Sequence, residues 1–296
     1  MKKSMFVAAI VPLVKLDLQF FAQTKASNLV NPEVMQAAMP GKLENAIKFR
    51  KYADVDRELV GQPGDTITRP KYAYIGPAAD LTEGVPMDTS QMSMTTTKVT
   101  VKETGKAVEI TEKAILTNIN GTVGEAERQL ALSMADKVEI DYIAELEKAV
   151  QTVSGSPITV AKILEGIAVF NSESDLNLVL FINPKDYTKL VQSLLTAGGA
   201  IQQHALSSGQ VSELVGVKAI ERTRRVTEGK GYLQVFNTAE PNDSKDQSSA
   251  MEIVLKRDVA VNRDGDILAR TVVIAANTYY TVNLKNDAGV VKFTGV

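Results

Sequence analysis

Between Thr122 and Val150 the sequence places an apolar or small residue at every helical turn: Val123, Ala126, Leu130, Met134, Val138, Tyr142, Leu146 and Val150. The first step is three residues and each later step is four, a spacing that an α-helix brings onto neighbouring faces. Thr122 and Glu125 have the spacing of a capping box at its start. Over this span, at about 1.5 Å per residue, the helix is a rod of roughly 43 Å, longer than a small domain is wide. A step of four drifts around a helix of 3.6 residues per turn, so its neighbours must cover more than one narrow stripe. Whatever else this chain does, it folds around that rod.

The sequence before the rod is uneven. Asn31-Pro32-Glu33 is a good helix start, and Pro40-Gly41 stops it within about two turns. A second piece, Lys42 to Tyr52, presents Leu43, Ile47 and Tyr52 on one side. Such short helices are marginal alone, which predicts an arm lying across something else. Two extended runs follow, Thr66 to Ile75 and Gln91 to Glu103, separated by the Gly- and Pro-bearing GPAADLTEGVPMDTS. From Thr95 to Val101 the chain is nearly all β-branched, which favours a strand. Yet its alternating positions give neither face a proper core. The prediction is a two-stranded ribbon with a wide tip, and an isolated ribbon is barely stable in water. Glu103 to Lys106 reads as a turn into a short strand, Ala107 to Thr111.

After the rod the texture becomes α/β. Thr159 to Phe170 reads as a helix with Ile163, Leu164, Ile167 and Phe170 inward, and Leu176 to Ile182 as a buried central strand. Asn183-Pro184-Lys185-Asp186 opens another helix, and Ala197-Gly198-Gly199 begins a polar loop carrying Gln202, Gln203 and His204. Strands are predicted at 215–221, 232–237, 251–262, 267–275, 279–284 and 290–293, with a hairpin turn at Asp264-Gly265-Asp266.

Composition removes most chemistries. There is no cysteine, hence no disulfide, thiolate metal site or cysteine nucleophile, and His204 is the only histidine. Phosphate-cradling glycine loops and nucleophile elbows are missing, and no cofactor is implied. A net charge of −2 lacks the basic excess of a protein that grips nucleic acid by counterion release. One basic cluster stands out: Arg222, Arg224, Arg225 and Lys230. It suits either nucleic acid or the acids of a neighbouring subunit, or is simply a solvated turn. At the N-terminus, Lys2, Lys3 and the apolar run to Val14 have the look of a secretory leader, but Pro12, Lys15 and Asp17 interrupt it and favour an arm that packs on a partner. No stretch approaches the ~20 apolar residues that cross a bilayer, so no membrane partner is expected.

The order of parts resembles the major capsid proteins of tailed bacteriophages, which have the Hong Kong 97-type fold. The residues that carry the resemblance are Ala78 to Gly84, then TTTKVTVKETGKAVEITEKAILTN (Thr95 to Asn118), the rod through Leu130 and Asp141, LVLFINPKDYTKL (Leu178 to Leu190) and LVGVKAIERT (Leu214 to Thr223). The leader LDLQFFAQ also resembles the N-termini of such proteins from phages of Gram-positive hosts. The resemblance implies an α+β, Hong Kong 97-like chain divided into an N-terminal arm (1–66), an extended β-ribbon or E-loop (67–103), a peripheral domain (104–154) with its spine helix (122–150), an axial domain (155–249) and closing strands shared with the peripheral domain (250–296). It implies a ribbon that lies on a neighbouring subunit, so that the strand without a private core finds its partner in another copy. Candidate intersubunit contacts are then Thr82, Glu83, Gly84, Met87, Asp88, Met92 and Met94 on the ribbon, Phe20 and Phe21 on the arm, and Gln202 and Gln203 on an axial loop. The implied function is a head subunit that forms hexamers and pentamers of an icosahedral shell around double-stranded DNA, not an enzyme, assembled in the host cytoplasm with a separate scaffolding protein and a portal. Near-neutral charge suits a wall that must not clutch its DNA. Some family members cross-link through a lysine near the ribbon tip; here no lysine lies between Lys71 and Lys98, which predicts non-covalent shells. An encapsulin-type nanocompartment is the close alternative, though expected to lack so long an arm. A secreted β-rich surface protein is the alternative from another class.

Overall fold

In the computed structural model, which describes residues 41–43, 46–72, 75–78, 80, 86–87, 89–117, 122–173, 175–197, 216–237 and 248–295, the rod is a 25-residue helix. It is α2 (Thr122–Leu146), preceded by the short α1 (Glu112–Thr117). The buried positions are those the pattern marks from Ala126 to Leu146, joined by Ala131, Ala135, Glu139 and Ile143 on the adjoining face and by Asp141. The helix is therefore covered on two sides. It stops short of the predicted end because Glu147 is held by Lys230 Nζ at 2.7 Å and by the Tyr232 hydroxyl, and the chain turns there into β5 (Gln151–Ser154). Val150 is left 77% exposed. The predicted capping box does not form: Glu125 turns down the helix to Arg128 (2.7 Å) and Gln129 (2.8 Å).

One face of α2 carries a four-stranded sheet built from β1 (Asp54–Asp56), β4 (Lys102–Thr111), β9 (Met251–Asp266) and β10 (Thr271–Leu284), in the order β1-β9-β10-β4. Along β10 every second residue from Val272 to Leu284 is buried, the period-2 signature of a strand with one face packed. Here β10 runs unbroken, where the sequence reading expects two strands. The hairpin turn also lies further on. Asp264 to Asp266 stay in β9, and the chain reverses over Ile267 to Arg270, with the Asp266 carboxylate accepting from the Leu268 and Ala269 amides at 2.8 and 3.0 Å. Glu103 to Lys106 is likewise strand, not turn. Gly105 sits opposite Asn277, so close that a Cβ would come within 3.0 Å of the Ala276 carbonyl oxygen. That crowding, not a reversal, is the reason for glycine.

The second sheet has five strands in the order β5-β11-β8-β6-β7, adding β6 (Leu178–Ile182), β7 (Val217–Arg222), β8 (Gly231–Val235) and β11 (Val290–Thr294). All five residues of β6 are buried, as a strand covered on both faces requires. Leu178, Leu180 and Ile182 pack with Ile163 of α3 (Val160–Val169) and with Leu190 and Leu194 of α4 (Pro184–Ala197). Leu164, expected inward, is 45% exposed. In its place Gly166 is buried, where a Cβ would meet the Phe293 ring at 2.7 Å.

The opposite face of β6 joins the two sheets. Val179 and Phe181 meet Tyr142 of α2 together with Phe49 and Tyr52 from a 3₁₀ turn, Lys48–Tyr52. Three residues per turn puts Phe49 and Tyr52 on one side, which a reading at α-helical spacing misses for Phe49. The Phe49 and Phe181 rings stand edge to face at 4.9 Å, a favoured aromatic geometry. The polar ends are satisfied: the Tyr142 hydroxyl donates to Gln234 Oε1 and Gln234 Nε2 donates to the Tyr52 carbonyl, both at 2.7 Å. A segment far upstream of the rod thus locks the rod to the second sheet.

Candidate functional site

The ribbon is the part that this frame holds out. β2 (Thr66–Tyr72) and β3 (Met94–Thr100) pair antiparallel, from Thr66 opposite Thr100 to Tyr72 opposite Met94. Strand alternation sends Ile67, Arg69, Thr97 and Val99 to one face and Thr68, Pro70, Tyr72, Thr96 and Met94 to the other.

The first face is anchored at its base. Val99 is only 4% exposed and packs with Val101, Leu59 and Val254, with Ile67 and Tyr279 against them. The strand therefore does have a private core at this end, which corrects the expectation that neither of its faces has one. Arg69 fixes the ribbon further out. Its guanidinium pairs with Asp56, with Glu58 at 3.3 Å and with Glu252 at 3.4 Å. Glu252 is buried and also accepts from Asn283 at 2.7 Å. Lys71 adds an exposed pair with Asp287 at 2.8 Å. A third tie leads from the ribbon to the rod. Lys102, just past β3, and Lys137 hold Asp141 at 2.8 and 2.7 Å, and Tyr280 donates to it at 2.8 Å. Burial pushes the Asp141 carboxyl up, but those three contacts outweigh it and hold it below the usual aspartate range. Two residues earlier, Glu139 accepts from the Lys48 amide at 3.3 Å, and burial prevails over that contact and raises it.

Beyond residue 71 the character reverses. Tyr72, Ile75, Met87, Met92 and Met94 are all exposed, Met87 and Met92 by two thirds. Of the ribbon residues singled out in the sequence, Met87, Met92 and Met94 fall in this group. Thr82, Glu83, Gly84 and Asp88, like Phe20, Phe21, Gln202 and Gln203, lie outside the described residues. Tyr72 and Ile75 join the group without having been singled out. So does a second apolar tip, the β9–β10 turn, where Ile267 and Leu268 are 88% and 97% exposed. Leu116 of α1 is exposed at the same end, since the Glu112 amide donates to the Arg270 carbonyl at 2.9 Å. Two apolar residues in a row inside a turn were a signal available in the sequence.

The basic cluster is dispersed. Arg225 pairs with Asp136 at 2.6 Å, Lys230 with Glu147 at 2.7 Å, and Arg222 lies 4.9 Å over the Tyr187 ring. Arg224 alone of the four has neither an ion pair nor a ring contact among the described residues. Among those residues no three His, Cys, Asp or Glu converge on a point that could hold a metal ion, and no helix is long and apolar enough to cross a membrane.

A fold that spends its polar contacts on fixing the base of an apolar-tipped ribbon is suited to binding other chains, and the comparisons with known proteins agree. Residues 94–293 match the phage capsid protein family. The chain is also 30% identical over 274 residues to the major capsid protein of Staphylococcus phage phiMR11, covering 92% of this chain and 95% of that one. The chain belongs to the phage capsid protein family. This capsid protein has the Hong Kong 97-like fold: it superposes on the capsid of a native GTA particle with a TM-score of 0.67 at 10% identity, over 85% of this chain and 91% of that one. Against the mature capsid of bacteriophage PhiM1 the TM-score is 0.62 at 12% identity, over 84% and 86% of the two chains. Such low identities speak for the fold alone. Family membership rests on the sequence matches, which extend from β3 through the rod to β11.

Proposed function

We propose that this protein is the major head subunit of a phage, and that its copies form hexamers and pentamers of an icosahedral shell around double-stranded DNA. The ribbon is the principal tie between neighbours, helped by the N-terminal arm (1–66), whose Lys48–Tyr52 turn and β1 are built into the subunit's own core, and by the axial loop that carries Gln202 and Gln203. The spine helix and four-stranded sheet serve as the peripheral domain (104–154 with closing strands from 250–296), and α3, α4, β6, β7 and β8 as the axial domain (155–249), whose sheet is extended by β5 and β11 from outside those bounds. The observation that carries the reading is the ribbon itself, anchored by Arg69 at its base and apolar and exposed at Met87, Met92 and Met94. Heterologous contacts of this kind close into rings. The role is structural rather than catalytic. DNA is enclosed and not recognised by sequence, in keeping with a net charge of −2 and with the internal engagement of Arg222, Arg225 and Lys230. A separate scaffolding protein and a portal complete the assembly, which takes place in the host cytoplasm.

Expression of the chain with and without its scaffold, followed by negative-stain microscopy, tests this. Closed particles are the expected outcome, and particles that hold a cargo enzyme in place of DNA would transfer the chain to the encapsulin-like alternative. A subunit that stays single under every condition, with the ribbon tip protected from hydrogen exchange, would overturn the reading.

A further inference from the structure

Two buried acids on the rod face different neighbours. Asp141 is held by Lys102, Lys137 and Tyr280 on the ribbon side. Glu139, 8% exposed, meets the 3₁₀ turn Lys48–Tyr52, which straps the rod to the second sheet. We propose that Glu139 is a pH-sensitive latch on this strap, closing it more firmly in mild acid than at neutral pH. The device goes beyond the shell reading and does not depend on it.

The geometry comes first. A helical turn leaves its first amides without internal partners, and here Ile47 stands at the capping position, where an aliphatic side chain offers no acceptor. The Lys48 amide donates instead to Glu139 Oε1 at 3.3 Å, 91 positions along the chain. The other end of the strap is tied to the second sheet. The Tyr52 carbonyl accepts from Gln234 Nε2 of β8, and the Tyr52 hydroxyl donates to Glu221 of β7, both at 2.7 Å. Soon after Tyr52 comes Asp56, which holds Arg69 at the ribbon base. The strap thus lies between the rod, the second sheet and the ribbon.

The charges around Glu139 decide its direction. Lys48 faces it from the strap and Arg225 from the segment after β7, but Arg225 is paired at 2.6 Å with Asp136, whose own charge opposes a second anion nearby. β4 and β10, which also pack on the rod, bring Lys102 and Tyr280 to Asp141. Burial therefore outweighs the amide and the two cations, and raises the Glu139 carboxyl above the usual glutamate range. Such a group takes up its proton more readily beneath a closed strap than in water. Its contribution is complete below the ordinary glutamate value of about 4.3 and is lost as pH rises through the raised one. A protonated carboxyl still offers Lys48 a carbonyl oxygen. Asp141 has the opposite sign, so mild acid tightens the strap while the tie to the ribbon holds.

Hydrogen exchange of the unassembled full chain, corrected for the intrinsic pH dependence of amide exchange, tests the latch. Protection of the backbone over 47–53 should be several-fold greater at about pH 5 than at about pH 8, with β6 unchanged. Glu139→Gln keeps an acceptor for the Lys48 amide and cannot ionise. It should hold the strap at both pH values as the parent chain does in acid. Equal protection of the parent at the two pH values, or greater protection at the higher one, overturns the latch. A pH response that survives in Glu139→Gln overturns it as well, by placing the titrating group elsewhere. Protection of β6 reports whether that variant folds; should it not, the sign of the parent's response decides alone.

Discussion

The ribbon is one pair of strands of uniform composition, yet its two ends behave as different materials. At the base, Val99 is 4% exposed and Arg69 meets three acids; at the far end, Met94 is 51% exposed opposite an exposed Tyr72. The strands themselves do not account for the difference, since both ends mix threonine with apolar residues. It comes from what the rest of the chain supplies: Leu59, Val254 and Tyr279 under one end and nothing described under the other. Burying one methionine side chain is worth roughly 1.5–3 kcal/mol. At the tip that free energy is not realised within the subunit and becomes available only on contact with another molecule. The base serves to hold that potential in a fixed place.

This contrast can be broken from the frame outwards. Phe181→Ala has the largest expected effect. Phe181 is fully buried among Phe49, Tyr52 and Tyr142, and truncation of such a ring costs about 3–5 kcal/mol. Urea denaturation of the unassembled subunit should show the loss, and both ends of the ribbon should lose protection together because the frame beneath them loosens. Arg69→Ala comes next. Among the described residues it leaves the buried Glu252 with Asn283 as its side-chain partner, at a cost of about 2–3 kcal/mol. Here hydrogen exchange should quicken in β2 and β3 while β6 keeps its protection. Unchanged exchange in the ribbon would mean that the arginine does not anchor it.

How far the sequence disclosed all this follows the same division. The rod and β6 were legible because their neighbours are in the chain and impose periodicity on them: a step of four from Ala126 to Leu146, and an unbroken apolar run from Leu178 to Ile182. The long β4 and β10 were not. Gly105 and the Ala276-Asn277-Thr278 stretch read as breaks, and only the pairing of Gly105 with Asn277 shows that they are crowded strand. Phe49 was hidden by its 3₁₀ turn. Met87, Met92 and Met94 could be singled out only through resemblance, because an exposed methionine has no local signature. The ties of Arg69 to Glu252 and of Tyr280 to Asp141 join residues more than a hundred positions apart in sequence, and no local pattern records them.

Asp141 gives the next, smaller effect. Its folded carboxyl is held below the usual range, so the folded state binds the proton less readily than the unfolded chain does. The stability it lends is complete at neutral pH and is lost as pH falls below about 4. Asp141→Asn should cost about 1–2 kcal/mol at neutral pH by leaving Lys102 and the buried Tyr280 hydroxyl poorly matched. That cost should shrink in acid, where the native side chain is itself protonated. Denaturation midpoints at two pH values decide it, and a cost independent of pH would show that the charge of Asp141 is not what joins ribbon to rod.

The smallest effect on the subunit is the most telling. Met92 and Met94 are more than half exposed, so replacing both with serine removes almost no burial from the isolated chain. Its stability should change by less than about 0.5 kcal/mol, the ordinary range for surface sites. If the tip is finished only by another copy, the same variant should lose most of its closed particles in light scattering and microscopy, because each shell contact forfeits roughly 1.5–3 kcal/mol per methionine and a closed shell repeats that loss at every copy. Three results are then possible. An unaltered subunit with failed assembly places the missing partner outside the molecule. A destabilised subunit places it inside, on residues the base does not reach. An unaltered subunit that still closes into shells would leave the ribbon's two ends equivalent in function, and the contrast between them would be a matter of composition alone.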